Sequence, residues 1–217
     1  METLDNSPTA WAREVDTYAA TDSTLQLPAN PIIVVGGRRV KLWRNLEDLL
    51  APRAILMRGL GDAIVEDITF NYAQLIGFYR PDTLVLLPGN SEFHLRDNKS
   101  AQELTAAIRE LVKLDASYET TRRVYIFTPL KTLLHPEDDS TIEQVTELLQ
   151  SWAATDSRVV ILDANPLLSG PEGRPKGNFF LADGINLNEL GYLRLAVLLR
   201  QQVENDSQAL PGKNTNP

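Results

Sequence analysis

Two arginines, Arg38 and Arg39, stand directly after the apolar run IIVVGG. A strand that ends in a glycine turn commonly presents a reactive or ligand-binding side chain at the edge of an α/β sheet. A guanidinium in that place cannot attack a carbonyl, because it stays protonated and has no free lone pair. It can hold an anion, and a Gly-Gly turn at a helix start adds backbone N–H donors and a favourable dipole. With Lys41 and Arg44 the pair forms a basic cluster too short for a nucleic-acid footprint but sufficient for one anionic group. A cation at the bottom of a cleft needs a partner, since an unpaired buried charge is costly. Asp62, Glu92 and Asp183 are the carboxylates available after later strands. Two arrangements follow. In a closed site, Arg38 fills the pocket and pairs with Asp183 or Asp62. In an open site, Gly37, Arg38 and Arg39 receive a small carboxylate, phosphate or sulfated ligand.

Other residues could support different chemistry. Ser91 and His94 are close in sequence and, with Asp62 or Asp183, could form a relocated triad. The same residues describe a loop serine and a surface histidine, as His135 in TPLKTLLHPEDD describes an exposed loop. Glu92 and Asp183 would suit paired-carboxylate glycoside cleavage, but their spacing favours it no more than simple charge pairing. There is no cysteine, which excludes disulfides, thiolate catalysis and cysteine zinc sites. With two histidines, a histidine-rich metal site is not expected, and no metal or cofactor is implied. The 21 basic and 29 acidic residues give a net charge of −8, which opposes binding to a nucleic-acid backbone. No apolar run approaches the ~20 residues of a membrane span. The opening METLDNSPTAWAREVD has neither a basic start nor an apolar core, so a cytoplasmic protein is expected.

The elements that must position these residues alternate along the chain. PIIVVGG, RAILMRG, PDTLVLLPGN, RRVYIFTP and RVVILDA read as five short buried strands. Between them, WRNLEDLL is short and helical. DAIVEDITFNYAQLIGFY carries Ile64, Ile68 and Leu75 on one helical face with Asp62 as N-cap. SAQELTAAIRELVKLD, STIEQVTELLQSWAA and NELGYLRLAVLLRQQV are further helices, the last capped by Asn188. The pattern predicts a three-layer α/β/α sandwich with a five-stranded parallel sheet and a flavodoxin-like arrangement. Its working site should lie at the carboxyl ends of the strands. Residues 1–30 read as a lead-in helix and linker, started by Ser7 and Pro8 and carrying Trp11, Val15 and Tyr18. Residues 31–205 read as the single domain, and 206–217 as a frayed polar tail.

In order and spacing the chain resembles the SGNH (GDSL-type) hydrolases, serine esterases and lipases, from Trp11 to about Val203. It is most similar to the bacterial branch with a W…E…D lead-in and a GSSSIRLW first block. The resemblance implies that the nucleophilic serine's position is Arg38, in Gly36-Gly37-Arg38 before VKLW. It puts the oxyanion glycine at Gly61 in RGLGDA. In LLPGNSEFH it puts Ser91 in place of the oxyanion asparagine, with Asn90 one residue early. In DGINLNELGY it retains Asp183 and puts Asn186 where the histidine stands.

Acyl transfer by that route needs a nucleophile, a base and oxyanion donors. Loss of one triad member can cost ~10⁴-fold or more in rate. The resemblance thus implies a pseudoenzyme: a non-catalytic binding or scaffold protein, acting as a homodimer or beside an active SGNH relative. The alternatives are an unorthodox hydrolase of esters, thioesters or acetylated sugars, and a small-anion receptor using Arg38. The expected pocket comprises Gly37, Arg38, Arg39, Gly61, Asp62, Asn90, Ser91, Asp183 and Asn186.

Overall fold

The computed structural model describes residues 8–209. A 3-10 turn at Pro8–Trp11 leads into α1 (Ala12–Asp22), then β1 (Ile32–Gly36), α2 (Arg38–Leu42) and α3 (Leu46–Leu50). β2 (Ile55–Gly59), α4 (Val65–Phe70), α5 (Tyr72–Leu75), β3 (Thr83–Leu87) and α6 (Ala101–Ser117) follow. The chain continues through β4 (Arg123–Phe127), α7 (Asp139–Ala153), β5 (Val159–Leu162), α8 (Asn165–Leu168) and α9 (Glu189–Ala209).

All strand pairs are parallel, in the order β2-β1-β3-β4-β5. The chain steps outward from β1 to β2 on one side and to β3 on the other. The crevice between β1 and β3 is therefore the topological switch point, where ligands of open α/β sheets bind. Period-two alternation builds the layers. Ile33, Val35, Leu84, Leu86, Val124 and Ile126 pack against α1, α4, α5, α6 and α7. Ile32, Val34, Val85, Leu87, Tyr125 and Phe127 pack against α2, α3, α8 and α9. The five strands and the sandwich are as the sequence predicts.

Close approach holds α2 over the strand ends. A Cβ on Gly59 would lie 2.3 Å from the Lys41 backbone nitrogen, and one on Gly36 2.4 Å from the Leu87 carbonyl oxygen. This clamps the start of α2, and hence Arg38 and Arg39, onto the carboxyl edge of the sheet. The lead-in is pinned to the same edge. Arg58, buried in β2, donates to Asp22 at 2.8 Å and lies over the rings of Tyr18 and Tyr79. The Tyr79 hydroxyl donates to the same carboxylate.

Three local expectations need correction. The helix expected across 62–79 breaks into α4, α5 and a 3-10 turn at Gly77–Tyr79. Asn71 marks the break: its side-chain amide donates to the Asp67 carbonyl at 2.8 Å, competing with the helical ladder. Asp62 is not the cap; Asp67 accepts from the Ile64 N–H at 3.0 Å while Asp62 engages Arg38. The last helix runs to Ala209, past the expected boundary at 205, with Asn188 accepting from the Gly191 N–H as its cap. Ser7 and the remainder of the tail lie outside the described residues.

Candidate functional site

A cavity of about 230 Å³ opens at the β1/β3 switch point. Arg38 and Arg39 reach it from the start of α2, and Asp62 from the loop after β2. Asn90 and Ser91 come from the turn after β3, and Asn186 from the loop before α9. These are six of the nine expected pocket residues. Gly37, Gly61 and Asp183 do not line it.

The buried place expected of Arg38 is taken by Arg39. Arg38 is not buried: its side chain is 55% exposed. It forms a bidentate pair with Asp62, Nε to Oδ1 at 2.7 Å and Nη2 to Oδ2 at 2.5 Å. The closed-site pairing with Asp62 is thus made, the one with Asp183 is not, and the cavity remains beside the pair. Arg39 is the buried one, 2% exposed. It donates one hydrogen bond, a long 3.3 Å contact to the Ile185 carbonyl, and its buried Nε has no partner. No carboxylate lies within ion-pair distance of it among the described residues. Burial lowers its pKa to about 10, against the opposing pull of Tyr192 and Asp183, so it keeps its charge at neutral pH.

Gly61 and Asp183, the other positions that the resemblance singles out, are engaged elsewhere. The Gly61 N–H donates to Glu14 Oε2 at 3.1 Å, and that carboxylate also takes the Lys41 ammonium at 2.9 Å. Trp11 covers the glycine: a Cβ there would sit 2.5 Å from its ring. Gly61 therefore faces the lead-in, not the cleft. Asp183 accepts from the backbone N–H groups of Ile185 and Asn186, both at 2.9 Å, and from the Asn186 amide at 2.6 Å. Burial pushes its carboxyl up, but these donors outweigh that and hold it below the ordinary value.

No relocated triad forms. His94 Nε2 meets Asp138 at 2.7 Å and its ring stacks on His135, and no hydrogen bond joins it to Ser91 among the described residues. The Ser91 hydroxyl and the Asn90 amide make no hydrogen bond among the described residues. Glu92 is buried on the Val65 N–H and Lys99 Nζ at 2.9 and 2.6 Å, so it can neither partner Arg38 nor act with Asp183. Burial raises its carboxyl to about 7 despite Lys99.

The sequence reading missed Leu95 and Ile185, both on the cavity wall. Leu95 adopts a left-handed conformation (φ 69°), closed by an Arg96 N–H bond to the His94 carbonyl at 2.8 Å. Such a backbone is costly for leucine and gathers at ligand clamps. Nothing in the residue types announces it.

No family model and no curated protein matches the sequence. Solved structures do. A protein from Bacteroides fragilis described as an acylhydrolase superposes with a TM-score of 0.75 at 17% identity, over 88% of this chain and 96% of its own. A GDSL-like lipase from Bacteroides thetaiotaomicron gives 0.73 at 14% identity, over 88% and 98%. The fold is that of the SGNH hydrolases. An acetyl esterase mutant solved with an acetate ion gives 0.65 at 14% identity, over 83% of this chain and 99% of that one. In this SGNH fold, the first turn ends in an arginine–aspartate pair and the late loop in an aspartate–asparagine pair.

Proposed function

We propose that this chain is a non-catalytic SGNH-fold protein whose cleft captures a small monocarboxylate on Arg39. The observation that carries the reading is a charged, buried guanidinium with an unpartnered Nε, on a residue that lines a cavity of about 230 Å³. Arg38 and Asp62 cancel each other, which leaves one uncompensated positive charge in the lining. One charge matches a monoanion, and the cavity is smaller than the ~300–1,000 Å³ of ordinary ligand pockets. A planar carboxylate suits a guanidinium fork, with the free Ser91 hydroxyl and Asn90 amide as further donors. An acetate ion in a solved acetyl esterase of this fold is consistent with that ligand class.

Ester turnover has no support in the cleft. Arg38 cannot attack, the Asn186 amide takes up no proton near neutral pH, and the Gly61 N–H is occupied. Two assays test the reading. Hydrolysis of p-nitrophenyl acetate should stay at the buffer rate. Acetate at a hundred times its Kd should stabilise the fold by about 2.7 kcal/mol, roughly 5–10 °C in Tm for a chain of this size. Ester turnover that disappears in Ser91→Ala would overturn the non-catalytic assignment. A Tm indifferent to acetate and formate would overturn the ligand.

A further inference from the structure

The geometry points to a second, independent site: a zinc-class divalent metal centre formed by His94, His135 and Glu137, which pins together loops around the cleft. The sequence contains only two histidines, and the fold brings both together from different loops, one after β3 and one before α7. Their rings lie face to face, 3.8 Å between centroids and 22° between planes. A nitrogen of each and an oxygen of Glu137 all fall within 4.8 Å of one another. Around a zinc ion with ~2.0–2.2 Å bonds, ligand atoms stand roughly 3.3–3.5 Å apart. Modest rotation of the two half-buried rings and the exposed Glu137 side chain closes that difference and turns the rings out of parallel.

The donor set selects the ion. Two imidazoles and a carboxylate suit zinc and its late transition-metal neighbours, whereas magnesium and calcium prefer oxygen cages. Asp138 supplies the outer support such histidines usually have. It holds His94 Nε2 at 2.7 Å, which leaves Nδ1 for the ion. His135 Nδ1 already meets Glu137 at 3.0 Å. Three protein ligands leave a fourth position for water or an exogenous group.

The placement gives such an ion a structural consequence. His94 adjoins Leu95 on the cavity wall. The segment carrying His135 bonds the loop before α9, with the Leu133 N–H donating to the Gly184 carbonyl at 2.9 Å. An ion at His94 and His135 would cross-link the loop that carries Ser91 to the segment hydrogen-bonded to the loop that carries Asn186. This site stands whether or not the cleft binds a carboxylate.

Full-length untagged protein should be titrated with zinc chloride by calorimetry at neutral pH. One ion per chain is expected, with roughly a hundredfold loss of affinity or more in His94→Gln and in His135→Gln. Asp138→Asn should weaken binding by about tenfold through lost support. Imidazole ¹⁵N spectra of the unmutated chain give a readout that depends on no variant's folding. Zinc should shift one nitrogen of each ring. Absence of saturable binding, binding that survives His94→Gln, or ring nitrogens unmoved by zinc would each overturn the site.

Discussion

Arg38 and Arg39 are adjacent, yet their environments differ completely. Arg38 lies at the surface with both its forks on Asp62, an exposed pair of the kind that contributes about 0.2–1 kcal/mol. Arg39 is buried, its guanidinium makes one long hydrogen bond, and its carbonyl accepts from the Tyr192 hydroxyl at 2.8 Å. A buried charge without a carboxylate is destabilising, and replacing buried ionic groups by apolar ones of similar volume is often stabilising by 1–4 kcal/mol. Arg39→Met should therefore raise the urea-unfolding free energy by about 1–2 kcal/mol while removing the acetate response. A less stable Arg39→Met would show that the guanidinium is structurally paired. The sequence showed that two arginines follow the first strand. It could not show which one turns inward, because that depends on the helical phase of α2, set by the close approach of Gly59 to Lys41.

At the level of elements, the loops after the strands carry the site, and they differ in how legible they were. The five strands were plain from apolar runs bounded by Gly, Pro and Asp, and Ser100 and Asn188 cap their helices through side-chain oxygens as local chemistry predicts. Loop residues obey tertiary partners instead. Asp62 has cap chemistry but meets a stronger donor in Arg38, and Gly61 faces Glu14 from a helix 47 positions earlier. The loop before α9 is shaped by Asp183, which takes three donors. Its folded pKa lies below the unfolded value of about 3.8. That stabilisation is present above pH 3.8 and is lost as pH falls through the folded value. Amide exchange at Ile185 and Asn186 should accelerate at the acid end in the wild type. Asp183→Asn should show weak protection there at every pH, and equal acid sensitivity in both proteins would rule out the carboxylate as the cause.

At the scale of the whole molecule, the SGNH sandwich brings its usual strand ends together but fills them with internal pairs: Arg38 with Asp62, Asn186 with Asp183, Gly61 with Glu14. On the non-catalytic reading proposed above, none of these positions is left to serve acyl transfer, and Arg39 is the charge in the cleft without a carboxylate partner. The most direct measurement follows the Arg39 Nε–H resonance in a ¹H–¹⁵N spectrum during titration with sodium acetate. Anion capture predicts a saturable shift of that one arginine signal while Arg38, held by Asp62, stays put. A stationary Arg39 signal, or a shift confined to Arg38, would contradict it.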